Sequence, residues 1–389
     1  MAEIQKITAK KIKDSRDNPT IEVIAASKKY VASASVPSGA STGSSELTVV
    51  PVAKAIENIE TIIFPRLNGQ DPIQQVNVDK ILMELSGLGG NTITGVSMAV
   101  ARLGAKIRKK PLYQHLRSIF NPKLTGFTIP KPFFNILNGG AHASNDLAIQ
   151  EFMIKPRAKS FAEQLEVGKK VYQKLEAVLK KDFNNLEMGD EGGYAPEISF
   201  SKDALNYLLK ADENQEVDFV LDCAASQFYK IENYLIDKQT LGRNQLLKYY
   251  SELVEKYPIV ALEDPFDEQD WKGFKRIFQE LGDKVIIIGD DLLVTNPSLI
   301  QKAAKETLCN GVIIKINQIG TVSQAMKAAL MAQQFAWKII VSHRSGETMD
   351  DFIADFAVGI NADYIKSGAP GPAERMAKYN RLLEISNEV

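Results

Sequence analysis

The chain contains two kinds of apolar pattern, and the change from one to the other divides it into two parts. In the first part, three short alternating runs predict the strands of a small antiparallel sheet: IQKITAKKI, TIEVIAAS and YVASASV. Three stretches with helical spacing follow: PVAKAIENIETIIFPRL, DPIQQVNVDKILMELSG and GVSMAVARLGAKIR. We therefore expect an α+β domain over residues 1–125 and a second domain over residues 126–389, joined at the Pro- and Gly-rich stretch NPKLTGFTIPKP.

In the second part the apolar runs become continuous. Two of them, KPFFNIL and EFMIKP, precede two helical stretches, and six more then alternate with helices: VDFVLD, PIVALED, VIIIGDD, GVIIKIN, KIIVSH and DYIKSG. Such strands are typical of parallel sheets covered on both faces, and eight of them can close a barrel. The pattern predicts an α/β fold, a TIM-like β/α barrel with a smaller N-terminal capping domain. A doubly wound open sheet has similar spacing but does not readily gather six ionisable groups around one mouth.

Each of the last six runs ends on an ionisable residue. At intervals of 41, 27, 25, 28 and 23 residues, these are Asp222, Glu263, Asp290, Lys315, His343 and Lys366. The C-terminal ends of barrel strands carry the chemistry in such folds. Three converging carboxylates repel one another unless a cation lies between them, and oxygen-only ligation suits Mg²⁺. Each carboxylate alone is also consistent with a helix cap. The two lysines are candidate bases, and salt bridges to the same carboxylates are the alternative.

Four loops add further polar groups. They are PSGASTG, NGGAHASNDLAIQEFM, MGDEGGYAP and SHRSGET, and each alone is consistent with an ordinary turn. Their candidate functional residues are His142, Gln150, Glu151, Asp190, Glu191, Arg344 and Ser345. A hard cation, a lysine base, glutamate acids and an anion-binding Arg-Ser pair together fit proton abstraction next to a carboxylate, with the metal stabilising the enolate. The third histidine, His115, lies in helical sequence and is expected to be structural.

These motifs resemble the enolase family, the phosphopyruvate hydratases of glycolysis. The similar segments run in the family's order along nearly the whole chain and include DSRDNPT, PSGASTG, GDEGGYAP, LEDPF, SHRSGET and IKSGAP. The resemblance implies dehydration of 2-phosphoglycerate to phosphoenolpyruvate, and the reverse reaction in gluconeogenesis, by a lyase of a superfamily that pairs a Lys or His base with Mg²⁺. It also implies an enolase-type ββαα(βα)6 barrel whose second strand runs antiparallel, and a homodimer or higher homo-oligomer.

The resemblance further implies roles for individual residues. Lys315 would remove the C2 proton, and Glu191 would protonate the departing C3 hydroxyl with Glu151 assisting. The ligands of two Mg²⁺ ions would be Asp222, Glu263 and Asp290 for the first and Ser41 for the second, which arrives with substrate. The substrate-binding residues would be His142, Gln150, His343, Arg344, Ser345 and Lys366.

Four features depart from the family pattern. Asp17 replaces the glycine of DSRGNPT, the loop after PSGASTG is shortened, the first domain is trimmed again near SGLGGNTITG, and the chain stops at LLEISNEV. The deletions fall in the lid and near the region where subunits usually meet. The lid is the N-terminal capping domain with its PSGASTG loop. The deletions therefore concern closure of this lid and the oligomeric state, and they leave the barrel residues in place.

Composition narrows the function classes. Lys and Arg number 47 and Asp and Glu 48 among 389 residues, and no basic or aromatic-interleaved patch suggests nucleic acid as a partner. The N-terminus has no signal-peptide core, and no apolar stretch approaches the ~20 residues of a membrane span. Cys223 and Cys309 lie in apolar runs without CxxC spacing. We therefore expect a cytoplasmic protein, and the resemblance implies that it acts on a small phosphorylated 2-hydroxy acid.

Two alternatives stay open at this point. One is a superfamily enzyme that acts on another 2-hydroxy acid, against which the Arg-Ser pair argues. The other is a paralogue with altered or lost activity that serves as a binding protein, against which the retained acid, base and metal ligands argue.

Overall fold

The computed structural model describes residues 3–39 and 46–389. The N-terminal part has an antiparallel sheet of strands β1 (Lys6–Lys13), β2 (Pro19–Ala26) and β3 (Val31–Ser35). Its helices are α1 (Val52–Asn58), α2 (Phe64–Leu67), α3 (Gln75–Glu84), α4 (Gly90–Arg108) and α5 (Leu112–Phe120), with a π-helical turn, Ile59–Ile63, between α1 and α2. The prediction of a small antiparallel sheet followed by helices is confirmed.

The turn between β1 and β2 accommodates the aspartate that departs from the family motif. Asp17 has φ of 61°, in the left-handed region that aspartate enters more easily than most residues. Its backbone N–H donates to the carbonyl of Asp14 at 3.0 Å. The position therefore needs a positive φ, and aspartate fills it.

Helix α4 begins five residues before the predicted start at Gly95. It packs against β2 and β3 and is buried along most of its length, so its small and polar first turn is stabilised by tertiary contacts. A Cβ on Gly95 would lie 2.6 Å from Val23 Cγ2, which shows how closely the helix approaches the sheet. Thr94 Oγ1 donates to the carbonyl of Gly320 at 2.9 Å and so links this helix to the barrel.

Eight strands of the C-terminal part form the predicted closed barrel, in the order β4-β5-β8-β12-β13-β14-β15-β16, with β16 pairing with β4. Strand β5 runs antiparallel to β4 and β8, as an enolase-type barrel requires. The strands of this part are β4 (Lys131–Asn138), β5 (Glu151–Pro156), β6 (Glu187–Met188), β7 (Tyr194–Ala195), β8 (Val217–Asp222), β9 (Tyr229–Lys230), β10 (Asn233–Ile236), β11 (Gln239–Leu241), β12 (Ile259–Glu263), β13 (Ile286–Gly289), β14 (Gly311–Ile314), β15 (Lys338–Ser342) and β16 (Tyr364–Lys366).

Helices surround the barrel, and apolar side chains fill it. The helices are α6 (Phe161–Asp182), α7 (Ser201–Ala211), α8 (Arg243–Lys256), α9 (Trp271–Leu281), α10 (Pro297–Lys305), α11 (Ile316–Ile319), α12 (Val322–Gln334), α13 (Phe352–Gly359) and α14 (Ala373–Ser386). One buried residue from each of seven strands contributes to the interior: Phe133, Met153, Val220, Ala261, Ile288, Ile313 and Ile340. The interior is thus a packed core, which confines the chemistry to the mouth. Within the described residues, no helix has the length and apolarity to span a membrane.

Candidate active site

Lys366 lies at the centre of the barrel mouth. Its Nζ is 2.9 Å from Asp222 Oδ2, 3.0 Å from both carboxylate oxygens of Glu263 and 3.1 Å from Glu151 Oε2. Burial would lower the pKa of Lys366, but the three carboxylates outweigh burial and raise it. Burial and the neighbouring carboxylates also raise the pKa values of Glu263 and Glu151. One lysine therefore neutralises only part of the charge of three buried carboxylates, so this part of the site can bind a further cation.

The second buried lysine, Lys315, is paired with Asp290. Burial would lower the pKa of Lys315, but the carboxylate outweighs it and raises the pKa. Asp290 also accepts a hydrogen bond from Gln318 Nε2 at 3.0 Å. The sequence left two interpretations of the strand-end lysines open, and the structure shows both lysines in salt bridges to the site carboxylates. The free amine that a base requires is not the form that this arrangement favours.

Acidic side chains next to Asp290 could hold a metal ion. Oxygens of Asp264, Asp290 and Asp291 lie within 4.8 Å of one another. Asp264 accepts the backbone N–H groups of Asp290 at 3.0 Å and Asp291 at 2.7 Å, and burial and Asp290 raise the pKa of Asp291 to about 7. Oxygen-only donors suit a hard divalent cation, so the residues present fit Mg²⁺. The triad of Asp222, Glu263 and Asp290 stays a prediction, because two of its members contact Lys366.

A second group of titratable residues surrounds Glu191. Its Oε2 accepts a hydrogen bond from Asn135 Nδ2 at 3.0 Å and lies 3.0 Å from His343 Nε2. Its Oε1 lies 3.9 Å from His142 Nδ1, which is also 3.4 Å from Glu151 Oε1. Burial would raise the pKa of Glu191, but His343 and His142 outweigh it and hold the pKa well below the ordinary value. The pKa values of the two neighbouring glutamates are therefore shifted in opposite directions, upward for Glu151 and downward for Glu191.

Arg344, two residues after the end of β15, also lines the mouth and faces a carboxylate. Its Nη1 donates to Glu46 Oε2 at 3.0 Å, and its Nη2 donates to Glu46 Oε1 at 3.4 Å. Nη1 also donates to Asn317 Oδ1 at 3.2 Å. Paired donors of this kind match the geometry of carboxylates and phosphates. Arg344 therefore provides an anion-binding position, and in this structure the carboxylate of Glu46 occupies it.

A single cavity unites most of the predicted residues. Those that line it are His142, Gln150, Glu151, Glu191, Asp222, Asp290, Lys315, His343, Arg344, Ser345 and Lys366. Glu263 lies directly beside Lys366 and is 1% exposed, and Ser41 lies outside the described residues. The structure thus brings the predicted site residues that it describes to one mouth.

Several residues that contact the site were absent from the sequence prediction. Glu46, Asp264 and Asp291 line the cavity, and Asn135 and Arg375 contact Glu191 and His343 respectively. Asp264 and Asp291 directly follow predicted ligands in LEDPF and GDDLL, so adjacency could have indicated them. Arg375 lies in helical sequence, where no local pattern distinguishes a buried arginine from an exposed one.

Comparison with known proteins places this geometry in a family. The family description "Enolase, N-terminal domain" matches residues 4–116, and "Enolase, C-terminal TIM barrel domain" matches residues 126–389. A protein named Enolase from a Nitratiruptor species is 43% identical over 415 residues, which cover 100% of this chain and 97% of that protein. Enolase from Solanum lycopersicum is 43% identical over 429 residues, with coverage of 100% and 96%. Enolase from Methanosarcina barkeri is 45% identical over 411 residues, with coverage of 99% and 95%.

Proposed function

The chain belongs to the enolase family, and we propose that it catalyses the Mg²⁺-dependent dehydration of 2-phosphoglycerate to phosphoenolpyruvate in glycolysis, and the reverse reaction in gluconeogenesis. It is a hydro-lyase, a phosphopyruvate hydratase. One observation carries the residue roles that follow. Lys315 comes directly after β14, and Glu151 begins β5, the strand diametrically opposite in the barrel order. Both residues line one cavity, which supports a proposed base and a proposed acid on its two sides.

Lys315 is the proposed base that removes the C2 proton. A divalent cation bound by Asp290 would neutralise the substrate carboxylate and release Lys315 from its ion pair, which would lower the pKa of the amine. Burial of Lys315 favours the neutral amine once the ion pair is lost. Lys315 lines the cavity, which supports its proposed role as the group that takes the proton.

Glu191 and Glu151 form the proposed acid that protonates the departing C3 hydroxyl. His142 Nδ1 lies between them, 3.4 Å from Glu151 Oε1 and 3.9 Å from Glu191 Oε1. The pKa of Glu151 is raised and that of Glu191 is lowered, so we propose that the two carboxyl groups titrate as a pair, with Glu151 storing the proton that Glu191 delivers. The assisting role of Glu151 would then be to hold the proton until Glu191 transfers it to the C3 hydroxyl.

The anionic parts of the substrate meet the cations of the mouth. Arg344 and Ser345 are proposed to bind the phosphate, and the phosphate would replace Glu46 as the partner of Arg344. Other proposed substrate-binding residues are His142, Gln150, His343 and Lys366, all of which line the cavity. We also propose two Mg²⁺ ions, the first held by Asp222, Glu263 and Asp290 and the second, which arrives with substrate, by Ser41.

The reaction is tested by mixing purified protein with 2-phosphoglycerate and Mg²⁺ and following phosphoenolpyruvate by its ultraviolet absorbance. We expect product with wild type and a large loss with Lys315→Ala, while Lys338→Ala, which replaces an exposed lysine on β15, retains wild-type rates. A panel of unphosphorylated 2-hydroxy acids should give no product. Turnover of one of these in place of 2-phosphoglycerate would support the superfamily alternative, which the comparisons do not favour.

We further propose that the protein acts in the cytoplasm as a homodimer or higher homo-oligomer, with its two domains at residues 1–125 and 126–389. Support comes from the family and from the Pro- and Gly-rich stretch around Gly126. Light scattering coupled to size-exclusion chromatography measures the mass against the 43.0 kDa of one chain. A mass near 43 kDa would contradict the proposed assembly.

A further inference from the structure

Arg375 of helix α14 lies against the site without lining its cavity. Its side chain is 0% exposed. Its Nη1 lies 2.7 Å from His343 Nδ1 and donates to the carbonyl of Arg344 at 2.8 Å. Its Nη2 donates to the carbonyls of Ser345 at 2.5 Å and Asp190 at 2.9 Å. One buried guanidinium therefore contacts the loop that carries the anion-binding pair, the loop that carries Glu191, and an imidazole that faces Glu191.

The contact with His343 has a chemical consequence. A guanidinium has only N–H donors and no acceptor lone pair, and it stays charged in proteins. The 2.7 Å contact therefore requires His343 Nδ1 to be the acceptor, which means that Nδ1 carries no proton. A neutral imidazole has one ring proton, so that proton must be on Nε2. His343 Nε2 then donates to Glu191 Oε2, 3.0 Å away.

The state of Glu191 follows from that of His343. Asn135 Nδ2 already donates to Glu191 Oε2, so the two donors both engage this oxygen. The other oxygen, Oε1, faces His142. If His343 had its proton on Nδ1, it would point a lone pair at the carboxylate and a proton at the guanidinium, and both contacts would be lost. Burial, which lowers the pKa of His343 to about 4, agrees with a neutral ring at neutral pH.

We propose that Arg375 is a positioning residue that fixes His343 in the Nε2–H tautomer and thereby orients Glu191 with Oε1 towards the cavity. Arg375 touches no reacting group and acts through His343 and through the loops that it ties together. The statement about the tautomer stands on the donor-acceptor geometry alone, and its catalytic consequence rests on the proposed function.

The tautomer can be read directly, because the chain has only three histidines. The protein is labelled with ¹⁵N-histidine, and long-range ¹H–¹⁵N correlation spectra at pH 7 are assigned by loss of one set of peaks in His343→Gln. We expect the His343 peaks to show a neutral ring with its proton on Nε2. A ring protonated on Nδ1, or on both nitrogens, would overturn the proposal, and this result needs no variant of Arg375.

Substitution of Arg375 separates tautomer control from general support of the fold. Arg375→Lys keeps a side chain that only donates, whereas Arg375→Gln can accept as well as donate. We expect Arg375→Gln to show a population of Nδ1–H tautomer and a kcat more than tenfold lower, with both effects smaller in Arg375→Lys. An unchanged tautomer in Arg375→Gln would refute the role of Arg375.

Lys378 supplies the matched control. It is the other buried cation of α14, one turn further on, and its Nζ donates to Glu347 Oε2 and the carbonyl of Thr348, both at 2.6 Å. Lys378→Gln should destabilise the protein without changing the His343 tautomer. A changed tautomer in Lys378→Gln would show that any disruption of α14 alters the ring, and it would overturn the specific role of Arg375. A protein with the expected tautomer but no dehydratase activity would count against the proposed function and leave the ring geometry intact.

Discussion

Replacement of Lys366 by methionine tests how the site balances its charges. The change leaves the buried carboxylates of Asp222, Glu263 and Glu151 without the cation that lies 2.9–3.1 Å from each of them. Removing one partner of a buried ion pair destabilises proteins by about 3–5 kcal/mol, because the remaining charge is left uncompensated. We therefore expect Lys366→Met to lower the free energy of unfolding by about 3–5 kcal/mol when EDTA removes divalent cations.

Magnesium should reverse part of this loss. A ligand that binds only the folded state stabilises it by about 2.7 kcal/mol at 100 times its Kd. Without Lys366 the carboxylates attract a cation more strongly, so the same Mg²⁺ concentration should stabilise the variant more than wild type. Urea denaturation of both proteins, in EDTA and in a Mg²⁺ series, measures the difference.

The control is Lys338→Met on the neighbouring strand β15. Lys338 pairs with Asp363 at 2.7 Å, but its side chain is 48% exposed, and exposed pairs contribute about 0–1 kcal/mol. The control should change stability by less than about 1 kcal/mol and should leave the response to Mg²⁺ unchanged. If Lys366→Met lost no more stability in EDTA than this control, the conclusion that Lys366 compensates the charge of the three buried carboxylates would be wrong.

Three further predictions concern other parts of the molecule. Burial lowers the pKa of His115 from 6.5 to about 4. The neutral ring therefore contributes about 3 kcal/mol to the free energy of unfolding above pH 6.5, and this contribution is lost as the pH falls towards 4. Urea denaturation at several pH values should show this pH dependence in wild type and not in His115→Gln. Glu46→Gln removes the negative charge that pairs with the buried Arg344 and should lower the KM for 2-phosphoglycerate, roughly fivefold for each ~1 kcal/mol of competition removed; an unchanged KM would count against phosphate binding there. In Gly168→Ala the new Cβ would meet Phe134 Cε2 at 2.4 Å, so thermal unfolding should show a loss of about 1–3 kcal/mol despite the higher helix propensity of alanine.

The barrel and most of the site could be predicted because one rule connects them. Parallel strands place their last residues at the same rim, so a sequence in which each apolar run ends on a charged residue predicts a charged mouth. Asp222, Glu263 and Lys366 are the last residues of their strands, and Asp290 and Lys315 come directly after theirs. The antiparallel direction of β5 followed only from the family resemblance, since a short apolar run carries no information on direction.

The features that were missed depend on contacts between distant residues. Helix α4 begins earlier than the sequence pattern predicts, because a first turn of Gly, Asn and Thr has low helix propensity and is stabilised here by packing. The sequence could not show that Lys315 is paired with Asp290, because the choice between a free amine and an ion pair depends on side-chain geometry. Arg375 could not be identified for the same reason, since its partner His343 lies 32 positions away.

The most direct test of the division between base and acid is hydrogen exchange at C2 of 2-phosphoglycerate. The substrate is incubated with Mg²⁺ and enzyme in D₂O, and loss of the C2 proton is followed by NMR beside the formation of phosphoenolpyruvate. We predict that Glu191→Gln still exchanges the C2 proton while forming little product, and that Lys315→Ala does neither. Exchange that persists in Lys315→Ala, or that disappears in Glu191→Gln while wild type exchanges, would contradict the roles assigned to these two residues.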